Sequence, residues 1–263
     1  MSDKTVAVCA LCENVRELRQ SHFLPAAMFK HMQHPGDRSH AILDRENLGI
    51  NNPFTSKQVK TYLLCDECEG RFSKNGEQWV MANGFHTSGM FPLQAALKAA
   101  NYLAETDDGW AFSGGSIPGV EMEPLAYFAA SVFWRATAHG WGCAAHRLDF
   151  GSRYQNMFQQ YLLGKAAFPK DAALLIDVSD ATSLLEVAAF PFGGKVDGTY
   201  YRYEFHIPGL KFTLFLGQRM LEGARRLCAV HTSEQWIFLS RDTRRLTLAS
   251  EMMADRVKAL NRR

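Results

Sequence analysis

The chain has 263 residues, of which 47% are apolar and 21% charged, and its net charge is +2. That is enough for one sizeable core plus a small metal unit, and the balance excludes a disordered chain. It also excludes an overwhelming basic field of the kind that advertises nucleic-acid binding by itself. No run of about 18 apolar residues offers a membrane span. The start, Met1-Ser2-Asp3-Lys4-Thr5, lacks the apolar stretch of a signal peptide, so a reducing cytoplasm is the expected compartment.

Residues 5–12 read as a short strand entering the pair Cys9-Ala10-Leu11-Cys12. Residues 14–20 are polar, with Val15 and Leu18 spaced for a helix or a hairpin, and lead into Ser21-His22-Phe23-Leu24-Pro25. Residues 23–33 open a helix that tolerates Pro25 in its first turn. The stretch 34–58 has no period and reads as a long loop, with His34 and His40 as solvated side chains. Residues 59–64 form a strand running into Cys65-Asp66-Glu67-Cys68-Glu69. From Glu67 to Val80 a helix should follow, with Phe72, Trp79 and Val80 inward and an N-terminus suited to phosphate. Gly76 weakens that helix and ends it early, which makes Glu77 a surface or capping residue.

Leu93–Leu103 is a helix by its alanines and apolar spacing, and 105–121 is a Gly- and Asp-rich connector. Leu125–His139 is almost wholly apolar, the mark of a buried helix, and its Arg135 calls for a carboxylate or a phosphate. Phe150–Leu163 is a further helix ended by Gly164. Strands follow at 173–178 and 185–190, the second broken by Pro191-Phe192-Gly193-Gly194. Tyr201 to Ile207 alternates, Pro208-Gly209 turns the chain, and Leu210 to Leu216 alternates back as a hairpin, with His206 on its solvated face. Residues 236–239 add a short strand. Cys143 and Cys228 stand apart and read as small buried apolar residues. The end is basic: residues 218–263 carry ten Lys or Arg against five Asp or Glu, a modest footprint for a phosphate backbone or a solvated helix face.

The two Cys-x-x-Cys pairs carry the clearest chemistry. In a chain with no secretory signal, two such pairs favour a shared zinc over a redox dithiol. Cys9, Cys12, Cys65 and Cys68 are therefore the expected ligands of a structural Zn²⁺. Four thiolates leave no open position for substrate, so the metal staples a loop too poor in apolar residues to fold alone. Any chemistry has to lie inside that loop or beside the second pair.

Cys-x-x-Cys, a His with Pro three residues on, and a second Cys-x-x-Cys with a polar residue directly after it resemble the HNH (ββα-metal) nucleases. The nearest branch is the zinc-stapled one that includes phage endonuclease VII. The resemblance covers about the first third of the chain. It implies that His22 is the general base, that Pro25 is the motif proline, and that Glu69 stands where an Asn or His completes the metal site. Ser21 stands where the family has a metal-binding Asp. A hydroxyl is a far weaker Mg²⁺ ligand than a carboxylate, and Glu69 restores the charge from the other side.

The expected fold is α+β. A zinc-stapled treble-clef or ββα unit spans 1–85, and a domain of helices packed on an antiparallel sheet spans 92–263. The expected function is a Mg²⁺- or Mn²⁺-dependent endonuclease acting on nucleic acid, DNA first, with His22 and Glu69 as its catalytic pair. The alternative is a non-catalytic zinc-finger module, with a degenerate HNH site, that binds nucleic acid or protein. The two differ in geometry: a nuclease needs His22 and Glu69 converging on one solvent-open cleft.

Overall fold

A computed structural model describes residues 5–31, 42–43, 54–55, 58–86, 88–141, 148–180 and 188–241. His34, His40, Cys143 and the basic segment from residue 242 onward lie outside the described residues.

A three-stranded antiparallel sheet opens the chain: β1 (Val6–Val8), β2 (Val15–His22) and β5 (Lys60–Cys65), in the order β1-β2-β5. Val15 lies opposite Val8, so the polar stretch 14–20 takes the hairpin alternative. A short helix, α1 (Ala26–His31), begins just after Pro25. Between β2 and β5 the chain contributes two short strands, β3 (Ile42–Leu43) and β4 (Phe54–Thr55), to a different sheet. The stretch read as a loop therefore carries paired backbone, with β3 parallel to the strand at 188–196. That pairing is non-local, and no period within the stretch signals it.

Cys65 then caps α2 (Asp66–Phe72), which runs through one π-turn (Ser73–Glu77) into α3 (Gln78–Asn83). Gly76 does not end the helix. A Cβ there would lie 2.8 Å from the backbone nitrogen of Phe128, so glycine is what lets another helix pack directly on the turn. α4 (Pro92–Ala99) stops at Ala99, earlier than the periodicity suggests.

The connector at 105–121 holds structure as well. β6 (Ala104–Thr106) and β7 (Gly109–Ser113) form a hairpin, followed by a 3₁₀ turn over Gly114–Ser116. Gly109 takes φ 143, and a Cβ there would sit 2.1 Å from the Leu239 carbonyl oxygen, so the glycine permits strand contact instead of breaking it. The remaining elements are α5 (Met122–Ala138), α6 (Gly151–Leu162), β8 (Ala172–Ser179), β9 (Ala188–Val196), β10 (Tyr200–Ile207), β11 (Leu210–Leu216), α7 (Glu222–Arg226) and β12 (Trp236–Ser240).

The second sheet has nine strands in the order β4-β3-β9-β10-β11-β8-β12-β7-β6. It is antiparallel except at two junctions, β3 with β9 and β12 with β8, so the antiparallel reading needs that correction. In the β10–β11 hairpin Ile207 faces Leu210, and Pro208-Gly209 makes the turn with Gly209 at φ 73. Proline first and a positive-φ glycine second is the demand of a type II turn. β9 continues through Pro191-Phe192-Gly193-Gly194 instead of stopping there. The register against β10 slips between Glu204 and His206, and a bulge of this kind accommodates the missing Pro191 N–H. Gly193, at φ 126, lies too close to the Arg202 carbonyl to bear a Cβ. His206 is buried, its ring parallel to that of Phe192, and not solvated.

α5 sits between the two sheets. Every residue from Met122 to Thr137 is buried apart from Glu123 and Pro124, which fits a helix enclosed all round. Towards the large sheet, Phe128 and Phe133 meet Phe205 at 6.0 and 4.9 Å between ring centroids. Towards the N-terminal unit, Phe72 meets Tyr127 and Trp134 edge-on at 6.1 and 6.0 Å. One cluster of buried residues runs from Cys9 through these rings to Leu239.

Candidate metal centre and adjoining cleft

The first Cys pair sits on a tight turn. Glu13, at φ 62, closes it by donating its backbone N–H to the Cys9 carbonyl at 2.9 Å. The Ala10 N–H reaches the Leu63 carbonyl at 3.0 Å and so fixes the turn against β5. The second pair straddles the junction of β5 and α2, with Cys65 ending the strand and Cys68 one turn along the helix. The four sulfurs lie within 4.8 Å of one another, and Cys12 Sγ is 3.9 Å from Cys65 Sγ. Tetrahedral Zn–S bonds of about 2.3 Å require sulfurs about 3.8 Å apart, so the donor set fits.

All four are free thiols, and three of them are buried. The Cys9 thiol is lowered to about 4, first by a hydrogen bond from Cys68 and then by backbone N–H groups, against the burial that raises it. Cys68 is pushed the other way, by the same partner and then by burial. Four thiols this close together, three of them buried, form a donor set that could hold a metal ion. Among the described residues this is the single group of three or more His, Cys, Asp or Glu side chains within ligand reach of one another.

A cleft of about 810 Å³ opens where Asp66, Glu67 and Glu69 adjoin Cys65 and Cys68 in the chain. Its lining includes His22 and Pro25 from the β2 end, Glu69, Arg71 and Lys74 from the helix, and Glu77 with Arg135. His22 and Glu69 thus face the same cleft. The register of β2 against β5 slips between Arg19 and Gln20, so Leu18 and Ser21, three positions apart, are both buried while His22 is half-exposed. Ser21 Oγ accepts the Leu64 N–H at 3.2 Å and donates to Glu69 Oε1. The residue in the expected Asp position therefore orients the Glu and does not itself line the cleft. His22 Nε2 lies 3.1 Å from Gln58 Oε1, and the tautomer that donates there carries its lone pair on Nδ1.

Burial is the largest influence on Glu69 and raises its pKa, while the Arg135 charge and the Ser21 hydrogen bond pull it down. Glu77 pairs with Arg135 Nη2 at 2.5 Å, so it is not a free surface residue, and although it stands at the N-cap position of α3 its side chain makes no capping bond. The π-turn explains how it gets there. Glu69 and Glu77 are eight positions apart, which in an unbroken α-helix puts them about 80° apart around the axis. The Gln78 N–H reaches back five residues to the Ser73 carbonyl, and the extra residue in that turn brings the two carboxylates to within about 20° of one face.

The helix N-terminus is not the phosphate cradle expected of it. Asp66, Glu67 and Glu69 occupy its first turn and already complement the positive end of the dipole. Asp66 and Glu67 also tie the helix to β2 through Arg19 at 3.0 Å and Arg16 at 3.1 Å.

Sequence reasoning brought His22, Glu69 and the four cysteines to this region and missed Glu77 and Arg135 as members of it. The available signal was an arginine inside an apolar helix, which demands a counter-charge. No family model, curated protein or solved structure matches the chain. Among the described residues no helix is long and apolar enough to cross a membrane.

Proposed function

We propose that the chain is a divalent-metal-dependent endonuclease of HNH type, built on a zinc-stapled treble clef in which β2, β5 and α2 form the ββα element. The observation that carries this reading is the convergence of His22 and Glu69 on one open cleft, whose lining residues Asp66, Glu67 and Glu69 adjoin Cys65 and Cys68 in the chain. Cys9, Cys12, Cys65 and Cys68 would hold Zn²⁺ as a structural clamp. Glu69 would hold Mg²⁺ or Mn²⁺, needing only one or two carboxylates beside water and substrate phosphate. A divalent ion bound there supplies charge stabilisation at the scissile phosphodiester. His22 draws the proton from the attacking water through Nδ1, while Gln58 holds the ring from its other nitrogen. Ser21 keeps the Glu69 carboxylate aimed into the cleft. Arg71 and Lys74, on the cleft wall, offer cationic contacts to a nucleic-acid backbone.

A second reading has an observation of its own. The cleft holds no preassembled group of three metal-type ligands among the described residues, as a zinc-stapled binding module would also lack. Cleavage decides between them. The zinc-loaded protein is incubated with Mg²⁺ or Mn²⁺ and with plasmid, branched duplex, single-stranded DNA and RNA. Wild type should cut at least one of these, and His22→Ala should lower the rate by about two to four orders of magnitude with zinc content unchanged. Undiminished cleavage by His22→Ala removes the mechanism, and a wild type inert on all four substrates favours the binding module.

A further inference from the structure

We propose that Arg135, carried by α5 in the second half of the chain, is the positioning residue of the cleft, fixing the His22 end of β2 against the helix that bears Glu69 and Glu77. This rests on the nuclease reading only for its catalytic consequence. Arg135 is buried, with 1% of its side chain exposed, and yet it lines the cleft. Nη2 holds the Glu77 carboxylate at 2.5 Å, and Nη1 reaches the backbone carbonyl of Phe23, the residue after His22, at 3.4 Å. Its guanidinium lies 4.7 Å from the centre of the Phe72 ring. Among the described residues its Nε–H meets no hydrogen-bond acceptor.

The same helix end grips Phe23 a second time. Trp141 packs its ring 4.8 Å from that of Phe23 and donates its indole N–H to the Arg135 carbonyl at 2.8 Å. On α5 itself, Phe128 and Arg135 are seven positions apart and share a face, so the contact that requires Gly76 and the ion pair to Glu77 belong to one docking. Packing by itself does not call for a charge here, since a buried ion pair is often replaced by apolar residues of similar volume at no loss of stability. The links from Arg16, Arg19 and Ser21 tie β2 to the start of this helix, and what the planar fork adds is a fixed distance from the Phe23 carbonyl to the Glu77 carboxylate two turns further along.

The test uses the zinc-loaded full chain and Arg135→Lys, which keeps the charge and loses the fork. A second variant, Arg135→Met with Glu77→Gln, removes the pair without stranding a buried charge. Two readouts run in parallel: kcat and KM for cleavage, and amide hydrogen exchange peptide by peptide. If Arg135 positions the cleft, kcat falls by about 10- to 100-fold with KM within about twofold. Exchange should then rise over 20–25 and 74–79 while β10 and β11 keep their protection. Unchanged exchange in those two segments overturns the proposal, and so does a rise spread over the whole chain. A wild type that never cleaves, with exchange raised only locally, removes the nuclease reading and leaves the positioning role standing. Active variants with wild-type kcat overturn the role while leaving the nuclease reading intact.

Discussion

The two sheets of this molecule solve the same problem by different means. The nine-stranded sheet lays Phe205 and Phe212 against α5, with Ile176 opposite Phe212 in the ladder, and none of the three has any surface exposed. The three-stranded sheet leaves Val6, Val8 and Val15 largely in water, and the buried residues at its heart include three of the four cysteines. A sheet of three short strands buries too little apolar surface to offset the entropy of ordering it. A metal ion held by the four sulfurs would supply what the missing side chains do not, because metal affinity for an otherwise unformed site is folding free energy. The small sheet can then give its surface to polar work, and the cleft is lined from its strand end and its helix.

Three perturbations break or sharpen this contrast. The largest is Cys65→Ser, which removes one ligand and with it a metal contribution on the order of 10 kcal/mol. Bound zinc should be lost and exchange should rise through β1, β2 and β5, with β3 and β4 fraying alongside, while β10 and β11 stay protected. Simultaneous collapse of both sheets would show that the division of labour is misdrawn. Next comes Phe205→Ala, which empties the contact with Phe212 at 4.8 Å and Phe133 at 4.9 Å. It should cost about 3–5 kcal/mol in denaturant unfolding, with one zinc per chain retained. Smallest is Ser21→Ala, which leaves the buried Leu64 N–H without its acceptor and should cost about 1–3 kcal/mol. Thermal unfolding of the zinc-loaded protein reads that loss directly.

What was legible in the sequence follows the same contrast. Metal-ligand spacing is local, so the four cysteines could be read, and so could the Tyr201–Leu216 hairpin with its two-residue turn. The glycine-rich stretches misled, because Gly109 and Gly193 mark places where backbone meets backbone inside a sheet and not places where strands end. The cleft was half legible. His22 and Glu69 lie beside recognisable motifs, whereas Arg135 meets a Glu77 that lies 58 positions away and faces the cleft only because one turn of helix holds an extra residue. Nothing periodic announces a single π-turn.

The excursion of the chain between β2 and β5 has a consequence for how the protein reaches its fold. The backbone leaves the small sheet at His22, visits the edge of the large one at Ile42–Leu43 and Phe54–Thr55, returns as β5, and crosses again to β6. Each sheet therefore holds one strand pair whose connecting chain is pinned by the other. The β3–β4 pair lies wholly within the loop from β2 to β5 and shortens it, and loop closure is the entropic toll on long-range pairing. Docking of the β3 edge onto β9 holds that pair in place, so closure of the four-cysteine cluster should quicken once the second half of the chain has arrived.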